Sequence, residues 1–425
     1  MVVRLLLVLA LAMGAASAGS APAAPVDDSS VPAADAVRFS AALEKAKGGD
    51  GEAMQEVGVA YDDGDGVAED DAEALRWFRR GAEAGNLNSM RSVGVMYANG
   101  RGVKADFTEA LRWYRMAAEG GNPAALNEVG YAYDHGEGVA ADAAEAARWY
   151  LRAAEAGDLY GMSNIALMYE TGTGVNKSIA AAVRWYRAAA DKNHPSALTS
   201  LGLLYETGNG VDKDPKEAVR FYRRAAALND RRAMNFIAIN YDEGIGLDKD
   251  PVESFLWRRN AAEAGNPEAM VDLGYDYEMG EGTVQNYPES FRWYRKGVAA
   301  GHKRASYRLG LLYANGEGVE KDGVEAYRLV KVAADDGDID ATTSLGVFHE
   351  QGTGVKEDPV EAMRLYQLAA DKGDALAMRY LGYNYAHGIG TPRDRASSET
   401  WYKKAIAAGD EEAEGLLKAN EELLF

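Results

Sequence analysis

Cysteine is absent from the 425-residue chain. Disulfides, thiolate nucleophiles, cysteine metal sites and a lipid-modified cysteine are therefore excluded. Cations are scarce: 46 Lys and Arg stand against 66 Asp and Glu, a net charge of −20. Phosphate recognition needs clustered cations, so this balance excludes a nucleic-acid binder and argues against docking on an anionic membrane. Beyond the N-terminus no apolar run approaches the ~20 residues that span a bilayer. No stretch alternates apolar and polar residues as a half-buried strand would.

Hydrophobic residues, at 47%, are numerous enough for a large core. Glycine, at 47 residues, exceeds the roughly 7% usual in globular chains. The N-terminus reads as a targeting segment. Arg4 precedes an apolar stretch from Leu5 to Met13, and Ala16-Ser17-Ala18 offers a cleavage site. Residues 1–18 are thus expected to be a signal peptide, and 19–34, rich in Ala, Ser and Pro, a flexible linker. The expected product is exported, periplasmic or otherwise secreted, with no transmembrane segment in the mature chain.

The tryptophans expose an internal repeat. Trp77, Trp113, Trp149 and Trp185 lie 36 residues apart, and Trp257, Trp293 and Trp401 keep the register. Phe221, Leu329 and Leu365 fill the three remaining slots, giving ten units from Gly51 to Asp410 without insertion or deletion. Each unit reads as two helices. In the first, Ala53, Val57, Gly58 and Tyr61 mark an apolar stripe of helical period. Gly64 and Gly66, present in all ten units, mark the turn. The second helix opens on Asp70, with Asp in eight units and Ser178 and Asn286 in the others. Glu73 or its counterpart follows three residues later in eight units, predicting a capping-box-like pair. Ala74, Trp77, Phe78 and Ala82 then supply the buried face. Neighbouring units must stack to cover their helices. Residues 35–50 and 411–425 are expected to be capping helices at the two ends.

The string Ala53-x-x-x-Val57-Gly58-x-x-Tyr61-x-x-Gly64-x-Gly66-Val67-x-x-Asp70-x-x-Glu73-Ala74-x-x-Trp77-Phe78-x-x-Gly81-Ala82-x-x-Gly85 closely resembles the Sel1-like repeat, a relative of the tetratricopeptide repeat. Departures are local: Thr283 and Thr391 replace the turn valine, His349 the tyrosine, and Arg258 and Val330 the second helix aromatic. The resemblance implies an all-α fold, an α/α superhelical solenoid of ten 36-residue helix-turn-helix repeats. It also implies adaptor or binding roles, with a protein or peptide partner in the concave groove.

No residue set points to catalysis, a metal or a cofactor. His135, His194, His302, His349 and His387 form no recognisable ligand set. Asp62-Asp63-Gly64-Asp65-Gly66 lacks the spacing and the final Glu of a calcium loop. The nucleophile motifs of serine hydrolases and β-lactamases are missing. The expected function is a non-catalytic scaffold, with a cell-wall glycan-binding or hydrolytic envelope protein (β-lactamase-like or muramidase-like) as the alternative. Residues three and seven places after the Ala53 slot flank the core stripe and vary between units, so they form the candidate binding surface. In the C-terminal half these are Phe236, Asn240, Asp272, Asp276, Arg308, Leu312, Phe348, Tyr380 and Asn384, mixing aromatic anchors with charge. The alternative for this stripe is packing against the adjacent helix.

Overall fold

A computed structural model describes residues 33–422, so the expected signal peptide and most of the linker lie outside the described residues. The described residues form 22 helices and no strand. Each of the ten repeats contributes a pair, Gly51–Asp63 with Asp71–Glu83 in repeat 1 through Ala375–His387 with Arg395–Ala407 in repeat 10. Helix Ala33–Lys47 precedes them and Glu412–Glu422 follows.

Local chemistry sets the length of every helix. In repeat 1, Asp50 accepts from the amides of Glu52 and Ala53, opening the first helix. Gly64 closes it in the left-handed conformation, φ 76°, its amide returning to the Ala60 carbonyl. The Asp70 carboxylate accepts from Ala72 and Glu73 at 2.9 and 3.0 Å, opening the second helix. The reciprocal half of the expected capping box is replaced. The Asp70 amide donates to the Tyr61 carbonyl at 2.9 Å, and the equivalent bond recurs in every repeat. Freed from the cap, the Glu73-slot carboxylate pairs instead with the arginine one turn on, as in Arg112–Glu109 and Arg220–Glu217. A turn that hands its cap amide to the preceding helix leaves the glutamate nothing to cap.

The second turn glycine works by close approach as well as by conformation. Gly138 has φ 69°, and a Cβ there would lie 2.3 Å from the Phe107 carbonyl oxygen of the preceding repeat. The turn of each repeat therefore rests on the start of the second helix before it. After the second helix, Asn193 and Asn229 occupy the slot that is glycine in eight repeats, at φ 58° and 66°. Asparagine is the other residue that visits this region readily.

The deepest part of the core is not the tryptophan slot but the aromatic beside it. Tyr150, Tyr222, Tyr294, Tyr366 and Tyr402 are all at most 1% exposed. The tryptophans lie nearer the surface under cationic side chains, Arg80 4.2 Å from the Trp77 ring and Lys404 3.8 Å from Trp401. Adjacent repeats are also stapled by arginines that donate to the next repeat's first-helix tyrosine, as Arg115 to Tyr133 at 2.6 Å.

The chain divides into two compact units, one ending at Ala182 and the other beginning at Val183. In the N-terminal unit, Ala42 and Ala46 of the leading helix pack with Ala53, Met54, Val57 and Trp77. In the C-terminal unit, Ala413 of the last helix packs with Tyr402 and Ala405. Within each unit the architecture is an α/α solenoid.

Candidate functional site: the face of the first helices

The candidate stripe splits into two classes. Residues seven places after the Ala53 slot are buried: Asn240 and Asn384 at 0%, Asp276 and Leu312 at 1%, and Phe348 at 6% exposed. Seven residues of α-helix turn the chain to within about 20° of the starting direction, so this slot falls beside Ala53 inside the contact. These five side chains are packing and internal polar groups, the alternative open to the stripe.

Their surroundings are polar in an unusual way. Arg258, standing where other repeats bury an aromatic, hydrogen-bonds Asp276 and Asp242. Burial pushes Asp276 up to about 7, outweighing the opposing pull of the Arg258 guanidinium. Asn384 donates to Glu350 at 2.6 Å. Neither polar atom of the Asn240 amide has a partner.

Residues three places after the Ala53 slot are half-buried. Phe236 stacks on Tyr222 with ring centroids 5.2 Å apart, and Tyr380 on Tyr366 at 4.9 Å. Arg308 lies 3.6 Å from Glu278 and 5.1 Å over the Tyr275 ring. Asp272 lies 3.8 Å from Arg304, and burial raises its pKa. The structure thus leaves Phe236, Asp272, Arg308 and Tyr380 partly accessible.

Six places after the Ala53 slot lies a column that was not a candidate. It is apolar in all ten repeats, and no member is buried. It begins with Val59 and Val95 and ends with Val347 and Tyr383; Val59 and Tyr383 are each 39% exposed. Two residues separate this column from the core Val57 slot, so the two point about 200° apart. Apolar character kept in every repeat, by Val, Leu, Ile or Tyr, on the side away from Val57 was the available signal, masked by the search for variable positions. Exposed large apolar side chains on first helices include Tyr160 in the N-terminal unit and Met279 in the C-terminal unit, 65% and 54% exposed.

A polar ladder ties neighbouring first helices beneath this column. In the N-terminal unit Gln55 donates to Ser92 at 3.1 Å, Arg91 to Glu128 at 2.9 Å and Asn127 accepts from Asn164 at 2.9 Å. Acids nine places after the Ala53 slot are held from behind by buried tyrosines, Tyr150 to Asp134 at 3.4 Å and Tyr294 to Glu278 at 2.5 Å.

The histidines stay apart. His135 and His387 bond backbone carbonyls and stack on Tyr131 and Tyr383, His302 contacts Glu268 at 2.8 Å, and His349 meets Tyr327 at 3.2 Å. That contact holds the Glu268 carboxyl below its usual pKa. His194 begins a first helix without a side-chain cap bond. Among the described residues no cluster of three His, Asp or Glu could hold a metal ion, and no helix is long and apolar enough to cross a membrane.

Comparison with known proteins agrees with the repeat. The Sel1 repeat family model matches ten consecutive segments, residues 51–86 through 375–410. A crystal structure of a protective antigen from uropathogenic Escherichia coli, displaying an SLR fold, is 29% identical, with 91% of each chain covered and a TM-score of 0.56. A Sel1 repeat protein from Oxalobacter formigenes is 34% identical over 59% of this chain and 100% of its own, with a TM-score of 0.54. A search of curated proteins returned no match. With ten matched segments on an all-helical repeat architecture, the chain belongs to the Sel1 repeat family.

Proposed function

We propose that this protein is an exported, non-catalytic scaffold that holds a segment of a partner protein along the face of its first helices, in envelope signalling or assembly. Sel1 repeat proteins are generally protein-interaction scaffolds. The observation that carries the reading for this chain is the apolar position six places after the Ala53 slot, which recurs in all ten repeats and is buried in none of either unit. An apolar position that stays partly accessible in every repeat, while some members also pack against the core as Val95 and Val347 do, suits contact with another chain within each unit. Half-buried polar and charged side chains, Arg308 and Asp272 among them, flank it and supply register. The exported address rests on residues 1–18, and cell fractionation with antibody detection tests it.

Capture from envelope extract tests the function. The intact protein is compared with a variant in which Tyr275, Leu311, Val347 and Tyr383 become Ser, with unchanged helicity as the control for folding. The variant is expected to lose the partner that the intact protein retains. Equal recovery by both would overturn the assignment. Hydrolysis of muropeptides or a β-lactam by the pure protein, abolished by one substitution, would replace the scaffold with an enzyme.

A further inference from the structure

We infer that the first-helix face of the N-terminal unit takes an extended partner segment with an apolar residue at every third position and lysine or arginine between them. The inference rests on the reading of this face as the partner-binding one, and adds the chemistry of the partner.

Charge supplies the first argument. Glu52, Glu56, Asp63 and Asp134 lie on this face; Glu52 stands in the first turn of its helix, whereas Glu56, Asp63 and Asp134 are neither caps nor first-turn acids. Among the described residues Glu52, Glu56 and Asp63 have no ion-pair partner. The cation on the face, Arg91, is already bound to Glu128 at 2.9 Å. Uncompensated carboxylates beside exposed Val59 set a field that draws cationic chains and repels acidic ones.

Geometry supplies the second. Packed helices lie about 8–10 Å apart, and a chain extended in the polyproline II conformation rises about 3.1 Å per residue and returns to the same face every third residue. One apolar side chain in every third position of a partner would therefore meet one member of the column per repeat. Residues between them would reach the carboxylates on either side. The ladder from Gln55 to Asn164 fixes the separation of these helices, so the face is organised before it binds.

The test uses the full-length protein and two fluorescent peptides, one repeating Val-Lys-Thr and one repeating Val-Glu-Thr, followed by anisotropy. The lysine peptide is expected to bind at least tenfold more tightly than the glutamate peptide, and to weaken at least tenfold between 50 and 300 mM salt. Combined Glu52→Gln, Glu56→Gln and Asp63→Asn substitutions should remove most of that preference without loss of helicity. Val59→Ser with Tyr131→Ser should weaken the lysine peptide while leaving its salt dependence. Equal affinity for the two peptides, or a preference untouched by the charge substitutions, overturns the inference. If capture of the natural partner still depends on Tyr275 and its neighbours in that case, the scaffold reading survives and the partner chemistry alone has failed.

Discussion

The same helix pair is used in the two units with opposite treatment of its inner seam. In the N-terminal unit the facing slots complement each other, Gln55 with Ser92, Arg91 with Glu128 and Asn127 with Asn164, and the slot beneath holds Met96, Ala132 and Met168. In the C-terminal unit Thr199 faces the slot of Phe236, Asn235 that of Asp272 and Val271 that of Arg308. Thr199 Oγ1 and Asn235 Oδ1 are left without partners at residues 2% and 3% exposed. Below them sit Asn240, Asp276 and Asn384 in place of apolar side chains. Tyr307 with Ser344, at 3.1 Å, restores the ladder once. A buried polar group without a partner costs about 1–3 kcal/mol. Backbone repetition therefore sets the fold in both units, while the seam sets how much stability each unit keeps.

The largest break in this comparison comes from Arg258→Ala. It strands Asp276 and Asp242, and removing one side of a buried ion pair costs about 3–5 kcal/mol. Urea unfolding followed by hydrogen exchange should show the loss in the helices from Pro215 to Met279, with the helices from Gly51 to His135 unaffected. The paired change Arg258→Leu with Asp276→Leu should cost far less, since no charge is stranded. The same site makes stability depend on pH. Asp276 has its folded pKa raised to about 7, above the unfolded value near 3.9. The folded state therefore binds the proton more tightly, and the contribution is full below about pH 4 and lost as pH rises through 7. The C-terminal unit should melt higher at pH 5 than at pH 8, and Asp276→Asn should flatten that difference.

The repeat itself was plain in the sequence, because glycine turns, aspartate caps and an apolar stripe are local devices with a local signature. Gly64, Asp70 and Tyr61 state their roles without a neighbour. The seam is different, since Asn240 and Leu204 occupy one slot and nothing in either residue's own repeat says which finds a partner. Reading variability as exposure placed Asn240, Asp276, Leu312, Phe348 and Asn384 on a surface, when the slot is turned into the adjacent helix. Conversely, constant apolar character at the Val59 and Tyr383 position concealed side chains that remain partly accessible in every repeat. Glu73 shows a third failure: the capping motif is satisfied in sequence, yet the cap amide is spent on Tyr61.

A stabilising change comes next in size. Asn240→Leu gives repeat 6 the residue found at this slot in Leu204 and Leu312, and removes an amide with neither atom bonded. The C-terminal unit should gain about 1–3 kcal/mol, read as a higher urea midpoint. The mirror change in the N-terminal unit, Met168→Asn, should lose stability by a similar amount.

The smallest expected effect is the most discriminating. Asn127 and Asn164 share one hydrogen bond at 2.9 Å between half-buried side chains, so a double-mutant cycle to alanine should report a coupling of about 0.5–1.5 kcal/mol. The corresponding cycle on Thr199 and Phe236 should report none, because their slots face each other without a shared bond. Each single substitution has other consequences, cavity and solvation among them, but these cancel across a cycle and leave the pairwise term. A coupling of equal size in both cycles would mean that the seam is held by helix packing alone. The N-terminal ladder would then be ornament on a backbone repeat that is equally stiff in both units, and the argument for a pre-set binding face would lose its support.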